Sequence, residues 1–197
     1  MKKVTSLLIL LTALVLIGGN ARSQTIQIGS GTATSSYLPI YSCYGYNYSQ
    51  QIYLQSEINS AGGIAGQFAS ISFYYTTSGT TFANWKNWTV YLGNTSKTLF
   101  SSNTDWEPLA NLTQVFSGDI PTPLSNSWVT IEFQVPFDYT GGNLLVAIDE
   151  NSSGYSCTAK WGAFNSGSNR GILYYSDGTN PDPASPPARA ILETHVS

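Results

Sequence analysis

The sequence predicts an all-β fold, an antiparallel β-sandwich of jelly-roll type, and three observations carry that prediction. Beyond residue 24 the apolar residues recur with the period of a strand and never with that of a helix over any useful length. Turn residues interrupt the chain at short intervals. Charge is scarce: hydrophobic residues make up 42%, ample for a core, but charged residues only 10%, against a usual ~25%. Ser, Thr, Asn, Gln and Gly supply the solubility, as they do on neutral, polar strand faces.

The strands can be read in order. Ile52–Ser56 is the first candidate. In Phe68–Tyr75 the residues Ala69, Ile71, Phe73 and Tyr75 share one face. Trp88, Val90 and Leu92 alternate with Thr89 and Tyr91. In Trp128–Val135, Val129, Ile131, Phe133 and Val135 point one way, and Thr130, Glu132 and Gln134 the other. Asn143–Asp149 is nearly all apolar, which suits a strand buried on both sides. Gly171–Tyr175 completes the set. Turn signals fall between them at Asn59–Gly63, Ser78-Gly79, Gly93-Asn94, Ser117-Gly118, Gly141-Gly142, Gly154, Gly167 and Asp177-Gly178. Uneven strand and loop lengths favour a jelly roll over a closed barrel. The longest loop, Ser176 to Pro187, is stiffened by Pro181, Pro183, Pro186 and Pro187.

The first residues read as an export signal. Lys2 and Lys3 precede an apolar run from Leu7 to Ile17, and Ala21-Arg22-Ser23 sets small residues for cleavage before Gln24. The run is too short to span a bilayer, which takes roughly 20 apolar residues. The expected organisation is a signal peptide over 1–23 and a single β-sandwich domain over 24–197, secreted to the cell surface or medium or held in the periplasm, with no membrane span. The cations left after cleavage, Lys86, Lys97, Lys160, Arg170 and Arg189, are scattered and face 11 acidic residues. Nucleic acid requires a basic stripe, so that partner is excluded. Cys43 and Cys157 could pair in an oxidising compartment or remain two buried thiols; the spacing leaves both open.

No catalytic constellation emerges, and an enzyme is not expected. His195 is the single histidine, near the chain end, where a surface or last-strand position is the plain reading. It leaves no nucleophile–base pair and no zinc site of standard spacing. Gly62-Gly63 is a turn rather than a phosphate cradle. Asp149 and Glu150, adjacent in a strand, face opposite sides, which disfavours them as the carboxylate pair of a glycosidase.

Two features could bind. Asp149-Glu150-Asn151, followed by Ser152, gathers hard oxygen donors at a strand end, the type a structural Ca²⁺ takes, with further oxygen from Glu57 at the end of another strand or from backbone carbonyls. Trp85, Trp106 and Trp161, with polar neighbours, are the candidate exposed aromatics for stacking on a ligand. Tyr37, Tyr41, Tyr44, Tyr46 and Tyr48 cluster ahead of Ile52, where they could line a rim or cover the end of the sandwich.

Ser36–Ser42 (Ser-Tyr-Leu-Pro-Ile-Tyr-Ser), Tyr48–Leu54, Asn87–Gly93, Leu112–Gly118 and Tyr174–Asp177 with its proline loop together resemble a known module. It is the secreted, adhesin-like jelly-roll module of multimodular surface proteins associated with type IX secretion. The resemblance runs over nearly all of 24–197. It implies a non-catalytic extracellular binding or adhesion module whose partner is a glycan or a matrix or surface protein. The family's acidic stretch after its long buried strand falls on Asp149-Glu150-Asn151, which implies a structural cation there. A secreted hydrolase, or its accessory domain, is the competing class.

Overall fold

The computed structural model describes residues 24–29, 33–77 and 82–196. The expected signal peptide at 1–23 and the Ser78-Gly79 turn lie outside the described residues. The strands are β1 (Ala33–Ser35), β2 (Tyr46–Tyr53), β3 (Gly66–Tyr75), β4 (Trp88–Thr95), β5 (Thr113–Gly118), β6 (Ser127–Tyr139), β7 (Asn143–Glu150), β8 (Trp161–Asn165), β9 (Gly171–Ser176), β10 (Ala190–Leu192) and β11 (Thr194–Val196). A six-residue helix, α1 (Gln55–Ser60), follows β2, and one 3-10 turn spans Leu109–Asn111.

Two antiparallel sheets form. One runs β1-β8-β3-β6, with β11 also on β8; the other runs β10-β9-β2-β7-β4-β5. Strand β1 pairs with β8, β2 with β7, β3 with β6 and β4 with β5. That nesting is a long antiparallel hairpin rolled around a core, the jelly-roll arrangement the sequence predicts. Among the described residues no helix is long and apolar enough to cross a membrane.

The main core lies between the sheets, where Phe73, Tyr75, Val129, Ile131 and Trp161 of one meet Trp88, Val90, Val146, Ile148 and Leu173 of the other. A second cluster covers the outer face of the larger sheet: Tyr48, Ile52, Leu145, Ala147 and Ile172, roofed by Phe100, Trp106 and Leu112. The loop that carries this roof is fastened by reciprocal hydrogen bonds: Gln50 Nε2 donates to the Glu107 carbonyl (2.9 Å), and Glu107 N–H to Gln50 Oε1 (2.8 Å). Strand β7 is therefore buried on both faces, as its unbroken apolar run predicts.

Two local expectations need correction. Ala69 is exposed, because β3 shifts register between Phe68 and Ser70. The bulge reverses which residues face inward, and Phe68 stacks on Tyr139 with ring centroids 5.0 Å apart. The partner strand bulges at the same place: Glu132 sits opposite Ser70 and Phe137 opposite Phe68, so Val135 is carried outward to 53% exposure. Gln134, within that bulge, accepts from Ser117 N–H (3.2 Å) and donates to the Ser117 carbonyl (2.9 Å), covering the free edge of β5.

The expected strand Ile52–Ser56 is also misplaced. The strand starts at Tyr46 and ends at Tyr53, after which the Glu57 carboxylate accepts the Leu54 N–H at 2.9 Å and opens α1. Its polar residues Asn47, Ser49, Gln50 and Gln51 are all fully buried. Ser49 Oγ donates to the Pro39 carbonyl (2.6 Å), and Gln51 Oε1 accepts from Val196 N–H (3.2 Å), whereas Gln51 Nε2 has no hydrogen-bond partner.

His195 takes the last-strand position of its two plain readings, in β11, and is fully buried there, edge-on to Tyr53 (4.3 Å) and near Phe164 (5.4 Å). Burial, then the nearby Arg170 charge, pushes its imidazole down to about 3, so it stays neutral. The carbonyls of Arg170 and Ile52 face the ring, although neither nitrogen makes a hydrogen bond of normal geometry.

Candidate functional site

The tryptophans do not form one surface. Trp161 is fully buried within Phe73, Tyr75 and Phe82, because alternation along β8 turns Trp161 and Ala163 inward. This corrects the exposure read from its polar neighbours. Trp85 is half-buried against the main core, with Lys86 Nζ 4.9 Å from its ring. Trp106 is half-buried on the outer cluster, 5.2 Å from the Tyr48 ring.

The acidic residues are likewise separated. Glu57 lies beyond the far end of β2 and receives both guanidinium arms of Arg170, at 2.5 and 2.8 Å. Asp149 shares the outer face of β7 with Leu145 and Ala147, whereas Glu150 shares the inner face with Leu144, Val146 and Ile148. All four donors at Glu150 come from the protein. Oε2 accepts from Asn47 Nδ2 (3.2 Å) and Asn84 Nδ2 (3.1 Å), and Oε1 from the N–H (2.9 Å) and hydroxyl of Ser152. Burial pushes the Glu150 carboxyl up to about 7 and that of Asp149 up to about 6, against the hydrogen bonds that favour their anions. Among the described residues no group of three or more His, Cys, Asp or Glu side chains gathers. Glu57 lies apart from Asp149 and Glu150, which face opposite sides of β7.

What the fold does assemble, at the Glu150 end of the sandwich, is a platform of tyrosines. Tyr37 and Tyr41 stand 4.7 Å apart between centroids, Tyr41 and Tyr44 5.3 Å, Tyr41 and Tyr175 4.9 Å, and Tyr44 and Tyr175 4.5 Å. Arg189 closes the row, its guanidinium carbon 4.0 Å from the centre of Tyr175 and 5.8 Å from that of Tyr44. Tyr41 and Tyr175 rest on the main core on one side, while Tyr37 is 44% exposed. Partial burial first, and then the neighbouring phenols, hold the Tyr41 hydroxyl above its ordinary range.

The platform is rigidly mounted. Cys43 and Cys157 form a disulfide across 114 residues of chain, and the Ser42 carbonyl accepts from Ser156 N–H (3.0 Å) and Cys157 N–H (2.9 Å) beside it. Asn47 Oδ1 accepts the Tyr41 N–H at 2.9 Å. The Tyr44 carbonyl receives Asn47 Nδ2 (3.2 Å) and Asn84 Nδ2 (2.9 Å), the same two amides that donate to Glu150. The buried carboxylate therefore anchors, through two asparagines, the loop that presents Tyr41 and Tyr44.

The sequence marks Tyr37, Tyr41 and Tyr44 as a cluster but assigns Tyr46 and Tyr48 to it as well. Those two enter β2, where Tyr48 is buried beneath Trp106. It misses Tyr175 and Arg189, which are brought in by β9 and by the return of the proline loop. No local signal marks an arginine more than a hundred residues from the loop it will face.

No family model matches this chain, and neither the curated proteins nor the solved structures contain a match.

Proposed function

We propose that the protein is a non-catalytic, exported binding module that recognises carbohydrate through the Tyr37–Tyr41–Tyr44–Tyr175 platform. The observation that carries this reading is the platform itself. Four phenol rings sit within 5.3 Å of one another in a chain, their loop held by a disulfide and by the Glu150–Asn47–Asn84 network. Aromatic faces stack on the apolar C–H faces of sugar rings, and phenol hydroxyls donate to and accept from sugar hydroxyls. Mounting such rings on a fixed loop lowers the ordering cost of binding. Neither Trp161, which is buried, nor Glu57, which is committed to Arg170, contributes to this surface.

The adhesin-like resemblance of the sequence agrees in class: a surface module, with a glycan or matrix partner and no reaction of its own. A glycan array probed with the 24–197 protein, beside a panel of glycoside and peptide substrates, tests the reading. Retention of at least one glycan is expected, with Tyr37→Ala weakening it about tenfold. Turnover of a substrate would replace the reading with that of a hydrolase, and retention indifferent to Tyr37 and Tyr44 would move the site elsewhere.

A further inference from the structure

The row of rings is not uniform along its length. It begins at Tyr37, an exposed and neutral ring, and ends at Arg189, a permanent cation lying over Tyr175. Arg189 is itself exposed, and neither of the two ion pairs among the described residues involves it. The buried or half-buried cations are engaged: Arg170 with Glu57, and Lys97 with Asp105. The Arg189 guanidinium lies over the Tyr175 ring and is hydrogen-bonded to that side chain, and its exposure leaves the remaining N–H donors open to solvent. Contact with two rings restricts the side chain before a ligand arrives, so less freedom is lost when those donors are used.

The surroundings make this cation specific rather than part of a general basic surface. The chain carries 11 acidic against 8 basic residues and has a formal net charge of −3. Asp177, whose Oδ1 accepts the Gly45 N–H at 3.1 Å, belongs to the same end of the molecule. Such a surface repels anionic polymers in general. Repulsion between exposed charges is largely screened beyond about 8 Å at physiological salt. A ligand that sets one anionic group directly on Arg189 gains a charge-assisted, two-pronged hydrogen bond, while its remaining length lies on neutral rings.

We infer that the platform is polarised and selects a carboxylated glycan, a polymer or oligomer bearing uronic acid, with the carboxylate on Arg189 and the adjoining sugar faces on Tyr44, Tyr41 and Tyr37. The inference rests on the carbohydrate reading of the platform and adds the chemical class of the ligand. The planar carboxylate matches the planar fork of the guanidinium, and this favours uronate over the tetrahedral sulfate ester.

The test is an array of uronic-acid polysaccharides, each beside its carboxyl-reduced form, together with neutral and sulfated polysaccharides. It is probed with wild type, Arg189→Gln and Tyr37→Ala, all first shown to melt alike. Wild type is expected to retain at least one uronate polymer about tenfold more strongly than its carboxyl-reduced form. Arg189→Gln should abolish that difference and leave the weaker, neutral retention in place. Tyr37→Ala should weaken both forms together, and added salt should weaken the uronate form alone. Failure to retain any uronate polymer, equal retention of the reduced form, or preference for sulfated polymers each overturns the inference. In any of these cases the carbohydrate reading still stands if neutral glycans are held in a Tyr37-dependent way, and falls with the inference if none is held.

Discussion

A glutamate stands near each end of β2, Glu57 half-buried and Glu150 fully buried, and the protein treats them in opposite ways. At one end Glu57 receives a guanidinium, Arg170, at 2.5 and 2.8 Å. At the other, Glu150 receives only neutral donors: two asparagine amides, one backbone N–H and one hydroxyl. The Arg170 contacts outweigh burial, which acts first on Glu57, and hold it below its ordinary 4.5, whereas burial raises Glu150 from 4.5 to about 7. A full opposite charge pins a carboxylate as an anion, but neutral dipoles only partly replace water. The first arrangement suits a structural clamp. It ties α1 to the residue that leads into β9, beside a shallow cleft lined by Gln27, Ile28, Ser60 and Phe164. The second suits a mount, because amides can donate to the carboxylate and to a loop carbonyl at once, as Asn47 and Asn84 do.

Breaking the clamp should have the largest effect. Arg170→Leu leaves Glu57 without its counter-ion in a place only partly open to water, and the expected loss is about 3 kcal/mol, the low end for a broken buried pair. Chemical denaturation measures it. The ends of the eight-residue strand β2 lie roughly 25 Å apart, so glycan retention at the platform should survive the substitution under folded conditions. If retention is lost along with stability, the two ends are coupled and the comparison fails.

A pH series sharpens the contrast, because the signs differ. The folded-state values of Glu150 and Asp149, about 7 and about 6, lie above their ordinary 4.5 and 3.8. Between those limits the folded chain binds more protons than the unfolded chain. Their contribution to stability is therefore complete at acid pH and is lost as pH rises through 7, on the order of 3 kcal/mol for Glu150. Glu57 and His195 run the other way: the contribution of Glu57 is present above its ordinary 4.5 and is lost as pH falls through its lowered value, and that of neutral His195 is present above its ordinary 6.5 and is lost as pH falls toward about 3. Melting temperature should climb from pH 8 toward pH 5 and drop again in stronger acid. Glu150→Gln should flatten the neutral limb and leave the acid limb in place, and a neutral limb unaffected by Glu150→Gln would assign it to other groups.

The smallest expected effect concerns metal. With the three carboxylates apart and the oxygens of Glu150 engaged by protein donors, chelation of metal-stripped protein should leave the melting curve unchanged. An upward shift with millimolar Ca²⁺ that disappears in Asp149→Ala would establish the calcium site that the sequence suggests.

Strand existence was legible because a half-buried strand writes its period into its own residues. Val129–Phe133 and Asn143–Asp149 could be placed without any knowledge of their partners. The bulges at Ala69 and Val135 were not, since a register slip belongs to a pair of strands and leaves the apolar alternation of each intact. Strand β2 hid for a related reason. Asn47, Ser49 and Gln51 look like surface residues, and only partners far along the chain, Glu150, the Pro39 carbonyl and Val196 N–H, make their burial tolerable.

The sequence by itself determined an all-β, weakly charged chain and a run of tyrosines ahead of its second strand. Tertiary structure alone decided that Trp161 would be buried, that Asp149 and Glu150 would face different layers, and that Tyr175 and Arg189 would join Tyr37, Tyr41 and Tyr44. The division has a physical cause. Composition and periodicity are properties of neighbouring residues, whereas a jelly roll pairs its first strand with its eighth and its second with its seventh. Every surface at the end of such a sandwich is therefore built from residues that meet only after the hairpin has rolled up.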